Sequence, residues 1–144
     1  MLIVLASYFE PENHGAGRKI GISPGKPKQE QIDEACEKKG VPTYECSAQF
    51  PEFSPGELYW DYHRMRKSGD ENAGQVFREK YQAQLDEMAE AIRQKAASAG
   101  KDVTEFLPFQ DGDTLLAWER KGNLSYRTML AESLRELGYD VEEN

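Results

Sequence analysis

The stretch DTLLAWERKGNLSYRTMLAESLRELG, from Asp113 to Gly138, predicts a buried strand, a short polar turn and an amphipathic helix. Residues 114–118 are apolar without alternation, which is typical of a strand covered by helices on both faces. After the polar residues 119–123, apolar side chains recur every three or four positions, at Tyr126, Leu130, Leu134 and Leu137. That spacing indicates one buried helical face. The stretch therefore forms half of a predicted β–α–β unit.

Arg127 departs from the usual charge pattern of helices. It lies in the first turn, where the helix dipole makes a cation unfavourable by roughly 0.3–1 kcal/mol. Ser125 or Asn123 is suited to cap this helix, and such helix starts collect anions in α/β folds. Arg127 would strengthen an anion site there, with Glu119 as its orienting partner. The alternative is a surface arginine paired with Glu119 or Asp113.

The rest of the chain supplies the other elements of an α/β sheet. Strands are predicted at 2–6, 18–22 and 41–46, with a short strand or an extended lead-in at 103–107, and helices at 28–39, 56–67 and about 77–100. The longest helix rests on Phe77, Tyr81, Leu85, Met88, Ile92 and Ala96. Pro42 lacks the amide that a central strand needs, so 41–46 is expected at an edge. The predicted fold is a single α/β domain over residues 1–144, with a largely parallel sheet flanked by helices in a Rossmann-like three-layer arrangement.

Charge limits the class of partner. The 144 residues carry a net charge of −8, so extended nucleic acid is not expected, because affinity for it depends on neutralising phosphates. Residues 1–28 contain four basic and two acidic side chains, so they carry +2 and the remainder carries −10. A local basic site in an acidic protein favours a small anionic ligand.

The cysteines and the apolar runs exclude other classes. Cys36 and Cys46 belong to no metal or redox motif, and no histidine and cysteine have zinc-ligand spacing, so neither a metal nor a cofactor is expected. The apolar run at 2–6 is too short for a signal peptide, and no segment reaches membrane-spanning length. A cytoplasmic protein without a membrane partner is expected.

Polar side chains should collect at the carboxyl ends of the strands, where ligands bind in such sheets. The candidate ligand-binding residues are Tyr8, His14, Arg18, Ser23, Lys26, Glu119, Ser125, Tyr126 and Arg127. The simpler alternatives are a His14 that is exposed or hydrogen-bonds within its turn, a solvated Lys26 and a packed Tyr8. The loop SPGKP at 23–27 lacks the spacing of a Walker loop. The aromatic residues of 59–63 could stack on a base, although packing is the favoured alternative.

Several of these segments resemble the DUF488 family of bacterial and phage proteins. They are SYF after the first strand, RKIGISPGKP, the long tyrosine-containing helix and, above all, the stretch 113–138. In that family the last element reads LLCYE, a turn, and then CHR. Glu119 and Arg127 match, whereas Ala117 stands at the strand cysteine and Ser125-Tyr126 at the Cys-His pair. The resemblance implies an α/β fold and roles related to nucleic acid or defence; the lost thiol and imidazole favour anion binding over nucleophilic attack.

Three functional hypotheses follow. The first is binding of an anionic small molecule, a nucleotide or a phosphorylated ligand, near Ser23, Lys26, Ser125 and Arg127. The second is an enzyme acting on nucleotides or nucleic-acid ends, with Glu119, His14 or Tyr8 in acid–base roles. The third is an acidic protein-interaction factor, related to phage or defence, that binds a partner through the charged helix faces of 28–39 and 78–95.

Overall fold

The computed structural model describes residues 1–119 and 126–144. In this part of the chain, five strands form one all-parallel sheet flanked by four α-helices. The strands are β1 (Leu2–Ser7), β2 (Lys19–Gly21), β3 (Ala48–Gln49), β4 (Asp113–Ala117) and β5 (Asp140–Glu143). The helices are α1 (Gln29–Lys39), α2 (Glu57–Lys67), α3 (Ala73–Ala99) and α4 (Tyr126–Glu136). The predicted α/β class with a parallel sheet and flanking helices is confirmed.

The sheet has the strand order β3-β2-β4-β1-β5, which places β4 in the centre. Leu115 of β4 pairs with Leu5 of β1 on one side and with Ile20 of β2 on the other. Every residue of β4 is buried. This position explains why β4 is apolar without alternation, since both of its faces are covered.

The two faces of the sheet are covered differently. The larger core joins α2, α3 and α4 to one set of alternating strand side chains, which includes Ile3, Leu5, Ile20, Leu115 and Ala117. The opposite face carries a smaller cluster of Ala6, Tyr8 and Leu116, packed by Phe9, Tyr44 and Cys46. Helix α1 lies on this second side, where the side-chain amide of Gln29 donates to the Tyr44 carbonyl at 2.8 Å.

The chain leaves two neighbouring strands toward opposite faces. After β2 it continues into α1, and after β4 it continues to α4 on the other face. Strands whose connections diverge in this way leave a crevice outside their carboxyl ends, which is the usual ligand position in open parallel sheets. The topology therefore predicts a ligand site in the crevice at the carboxyl ends of β2 and β4.

Two predicted elements are wrong, and one strand was not predicted. Residues 41–46 are not a strand; the edge strand β3 forms after them, at Ala48–Gln49. Residues Val103–Phe106 form a 3-10 turn instead of a strand, because the Asp102 carboxylate accepts a hydrogen bond from the Thr104 amide at 3.0 Å. Strand β5 was not expected, because its sequence is acidic and it lies at a partly exposed edge. The helix cap predicted at Ser125 or Asn123 lies outside the described residues.

The remaining expectations on helices and cysteines agree with the structure. Helix α3 buries the predicted stripe, with Phe77, Tyr81, Leu85 and Ile92 inside, and ends at Gly100 with φ 63°. Cys36 and Cys46 are both free thiols. Among the described residues, no helix is long and apolar enough to cross a membrane, and no three side chains form a group that could hold a metal ion.

Candidate functional site

A cleft of about 550 Å³ opens at the carboxyl ends of β2 and β4. This volume suits a small organic ligand, since such pockets measure roughly 300–1,000 Å³. Its lining comes from the loop after β2, the end of β4 and the segment that begins α2: Ser23, Pro24, Gly25, Ser54, Pro55, Gly56, Tyr59, Trp60, Trp118, Glu119 and Tyr126. The cleft thus occupies the crevice that the topology predicts.

Trp118 forms the wall on the sheet side. Its indole N–H donates to the Gly25 carbonyl at 2.7 Å, so the end of β4 is tied to the loop after β2. Its ring also meets Tyr8 edge-on, with centroids 5.9 Å apart, and contacts Phe9 at 5.5 Å. Despite these contacts the side chain is 41% exposed. Trp118 is therefore held in one orientation with part of its ring open to the cleft.

Helix α2 supplies the opposite wall through Tyr59 and Trp60, whose ring centroids lie 6.2 Å apart. Trp60 is 60% exposed, the largest exposure among the large hydrophobic side chains of the described residues. Tyr59 also meets the buried ring of Tyr126, at 6.4 Å. The two walls together present four aromatic side chains to the cleft.

The segment that leads into α2 is fixed from below by α3. The Tyr81 hydroxyl donates to the Phe53 carbonyl at 2.7 Å, and the Gln84 amide donates to the Ser54 carbonyl at 2.9 Å. Gly56, with φ 59°, then turns the chain into the helix, a conformation that L side chains rarely adopt. These contacts fix the backbone that leads into α2, the helix that carries Trp60.

Glu119 is the charged residue of this lining. Its Oε2 atom is buried and has no hydrogen-bond partner among the described residues. Burial, followed by the nearby Glu119 carboxylate, raises the pKa of Tyr59 to about 12. The same two causes, in the same order, raise the pKa values of Tyr81 and Tyr126. The carboxylate thus lies near tyrosine hydroxyls that stay protonated at neutral pH, and a side-chain hydrogen bond with Glu119 also contributes to the raised pKa of Tyr59.

Arg127 does not line the cleft, contrary to the expectation for the start of the last helix. It is 0% exposed, and its guanidinium donates to the backbone oxygens of Glu119 at 2.9 Å, Leu5 at 3.1 Å and Asn144 at 2.5 Å. Backbone oxygens therefore compensate the cation, and no negative guest is needed for that purpose. An anion beside Arg127 stays a prediction, and the buried cation is no longer a reason to require one.

The other predicted residues divide between the cleft and more distant positions. Ser23, Glu119 and Tyr126 line the cleft. Tyr8 lies directly behind it, with its hydroxyl 2.9 Å from the Ser23 hydroxyl, and burial raises its pKa to about 12. Ser125 lies outside the described residues.

Three predicted residues lie outside the lining. His14 contacts the Ser7 carbonyl through Nε2 at 2.8 Å and packs against Tyr44. Arg18 pairs with the buried carboxylate of Asp113 at 2.7 Å, at the amino end of β4 and so at the opposite edge of the sheet. Lys26 follows Gly25 but is exposed and is not part of the lining. A site that combines all nine predicted residues is therefore not formed.

The sequence analysis missed the tryptophans as site residues. Trp118 was assigned to the buried central strand, but β4 ends one residue earlier, at Ala117, and this frees the indole. Trp60 was noted as a possible stacking residue, with packing favoured. Both exposures depend on where the elements end and which way α2 faces, and neither is set by local sequence.

Comparisons with models of known protein families, with curated proteins and with solved structures gave no match.

Proposed function

We propose that this protein binds a small ligand with a planar ring, of about nucleoside size, in the cleft between β2 and β4. The observation that carries the proposal is the pair of exposed indoles, Trp60 and Trp118, in the lining of one cleft. Stacking of an aromatic side chain on a base is worth about 1–3 kcal/mol, and it removes apolar ring surface from water. A planar ligand between these walls would gain from both.

The charge of the cleft favours a nucleoside over a nucleotide. No lysine or arginine stands in its lining as far as the described residues go, and the one charged residue there is an acid, Glu119. The whole chain carries −8, which adds to the repulsion of phosphate. The anionic ligand expected from the sequence remains a prediction that the same titration tests. The resemblance to the DUF488 family also remains a proposal; it concerns the segment that carries Glu119 and Arg127.

Tryptophan fluorescence can report binding in the cleft. The chain contains two tryptophans, and both line the cleft. We expect purine or pyrimidine nucleosides to quench or shift the tryptophan emission and to raise the melting temperature. Isothermal calorimetry with adenosine, guanosine, cytidine and uridine gives the affinities for nucleosides. The same titrations with the corresponding monophosphates and with inorganic phosphate test whether an anionic ligand binds instead.

Trp60→Ala should weaken nucleoside binding about tenfold or more, as expected for one lost stacking contact. The matched control is Phe106→Ala, which truncates another exposed aromatic side chain, 37% exposed, outside the lining. The proposal fails if no nucleoside binds, or if the two variants bind equally well. Tighter binding of phosphate or of the monophosphates would favour the anionic ligand instead.

A further inference from the structure

One oxygen of the Glu119 carboxylate, Oε2, is buried beside the cleft, although Tyr59 shares a side-chain hydrogen bond with this carboxylate. Its Oε2 atom lacks a hydrogen-bond donor among the described residues, although it is shielded from water. A buried oxygen of this kind is costly unless a donor reaches it, and more so when the group is charged. The rings around it belong to Tyr59 and Tyr126, which are wall residues of the cleft. A ligand that occupies the cleft can therefore supply a donor to Oε2.

We infer that the ligand is a heterocycle whose edge carries adjacent N–H donors, a ring N–H beside an exocyclic amino group, directed at Glu119. This inference rests on the proposed function. A ring held between Trp118 and the α2 wall turns its edge, not its face, toward the side of the cleft. A carboxylate has two acceptor oxygens and no donor, so its complement on a planar ring is a pair of N–H groups. Guanine and related 2-amino heterocycles have this edge.

The contact between Glu119 and the N–H donors of the ligand predicts which nucleosides bind most tightly. A site that accepts hydrogen bonds from a ligand discriminates strongly against an analogue without the donors, because its acceptor is then left buried and unpaired. Guanosine should bind more tightly than inosine, which lacks the amino group. Adenosine presents a ring acceptor beside its amino group, so it would bring a lone pair toward the carboxylate. An organic cation such as choline would satisfy the charge without any N–H donor.

The experiment compares guanosine, inosine, adenosine and choline by calorimetry on the full chain and on Glu119→Gln. The unchanged protein should bind guanosine about tenfold more tightly than inosine, as expected for one hydrogen bond to a charged group. Glu119→Gln should lose most of this preference while retaining the weaker, stacking-driven affinity for inosine. Glu57→Gln, the same change at an exposed residue near the cleft but outside its lining, should keep the preference.

The outcomes separate this inference from the proposed function. Equal binding of guanosine, inosine and adenosine would overturn the role of Glu119 while leaving a ring-binding cleft. Binding of choline without binding of guanosine would show that the carboxylate selects a cation, and would overturn the inference. A preference that survives Glu119→Gln would do the same. If none of the nucleosides binds, the proposed function itself fails.

Discussion

Replacing Arg127 by methionine tests whether the guanidinium is a structural link between strand ends. The substitution keeps most of the side-chain volume but removes donors to three backbone oxygens, those of Glu119, Leu5 and Asn144. The Leu5 oxygen retains a bond from the Asn144 amide at 2.9 Å, so two acceptors lose the bond that Arg127 gave them. Each such loss costs about 1–3 kcal/mol.

Removing the buried charge offsets part of this cost, because the guanidinium no longer has to be desolvated. We therefore expect the free energy of unfolding to fall by about 3 kcal/mol. For a chain of this length the melting temperature should fall by about 10 °C. Urea titration and thermal unfolding, both followed by circular dichroism, give the two values.

The matched control is Arg135→Met on the same helix. Arg135 also donates to a backbone oxygen, that of Val141 at 2.8 Å, but this bond is exposed to solvent. Its loss should cost less than about 1 kcal/mol. Equal stability losses in the two variants would refute the structural link. If phosphate stabilised the unchanged protein but not Arg127→Met, this result would support the anion site that was predicted from the sequence.

Three further predictions concern other parts of the fold. Gly17→Ala places a methyl group against the Gly112 carbonyl, so we expect a loss of about 1–3 kcal/mol in urea unfolding; Gly25→Ala, which meets no atom within 4 Å, should be close to neutral. Burial lowers the pKa of His14 from 6.5, so the unfolded chain takes up a proton first as the pH falls; stability should therefore decrease from pH 7 downward until the folded-state pKa is reached. In His14→Gln the melting temperature should fall less steeply between pH 7 and the folded-state pKa of His14 than it does in the unchanged protein. His63→Gln, at an exposed histidine, is the control. Equal pH dependence of the melting temperature in the two variants would contradict the prediction. Trp118→Phe removes the bond to the Gly25 carbonyl, so it should cost about 1 kcal/mol and weaken nucleoside binding, while a variant with unchanged calorimetric affinity would show that the bond does not order the wall.

The sequence predicted the fold where local pattern and burial coincide. The unbroken apolar runs of β1 and β4 and the stripe of α3 mark elements buried on both faces or along one face, and each was located within a few residues. Strand β5 was missed because an exposed acidic edge has no apolar pattern. The turn at Val103–Phe106 was misassigned because its conformation depends on one carboxylate cap.

The site was less predictable because its determinants are not local. The crevice position follows from strand order, which the sequence analysis did not assign beyond a largely parallel sheet. Arg127 was recognised as unusual, but the oxygens that compensate it include those of Leu5 and Asn144, 122 residues before and 17 residues after it along the chain. The exposure of Trp60 and Trp118 likewise depends on packing between elements. Local charge rules identified Arg127 as unusual but could not predict its backbone acceptors.

The central position of β4 also constrains how the chain can fold during synthesis. Strand β1 pairs with β4 and β5, so Ile3 has no strand partner until Asp113, 110 residues later in the chain, has been synthesised. Strand β4 lies between β1 and β2 in the sheet, so these two strands cannot join one sheet before β4 has been synthesised. The apolar segment Leu2–Ser7 is therefore open to aggregation until β4, the central strand, has been synthesised.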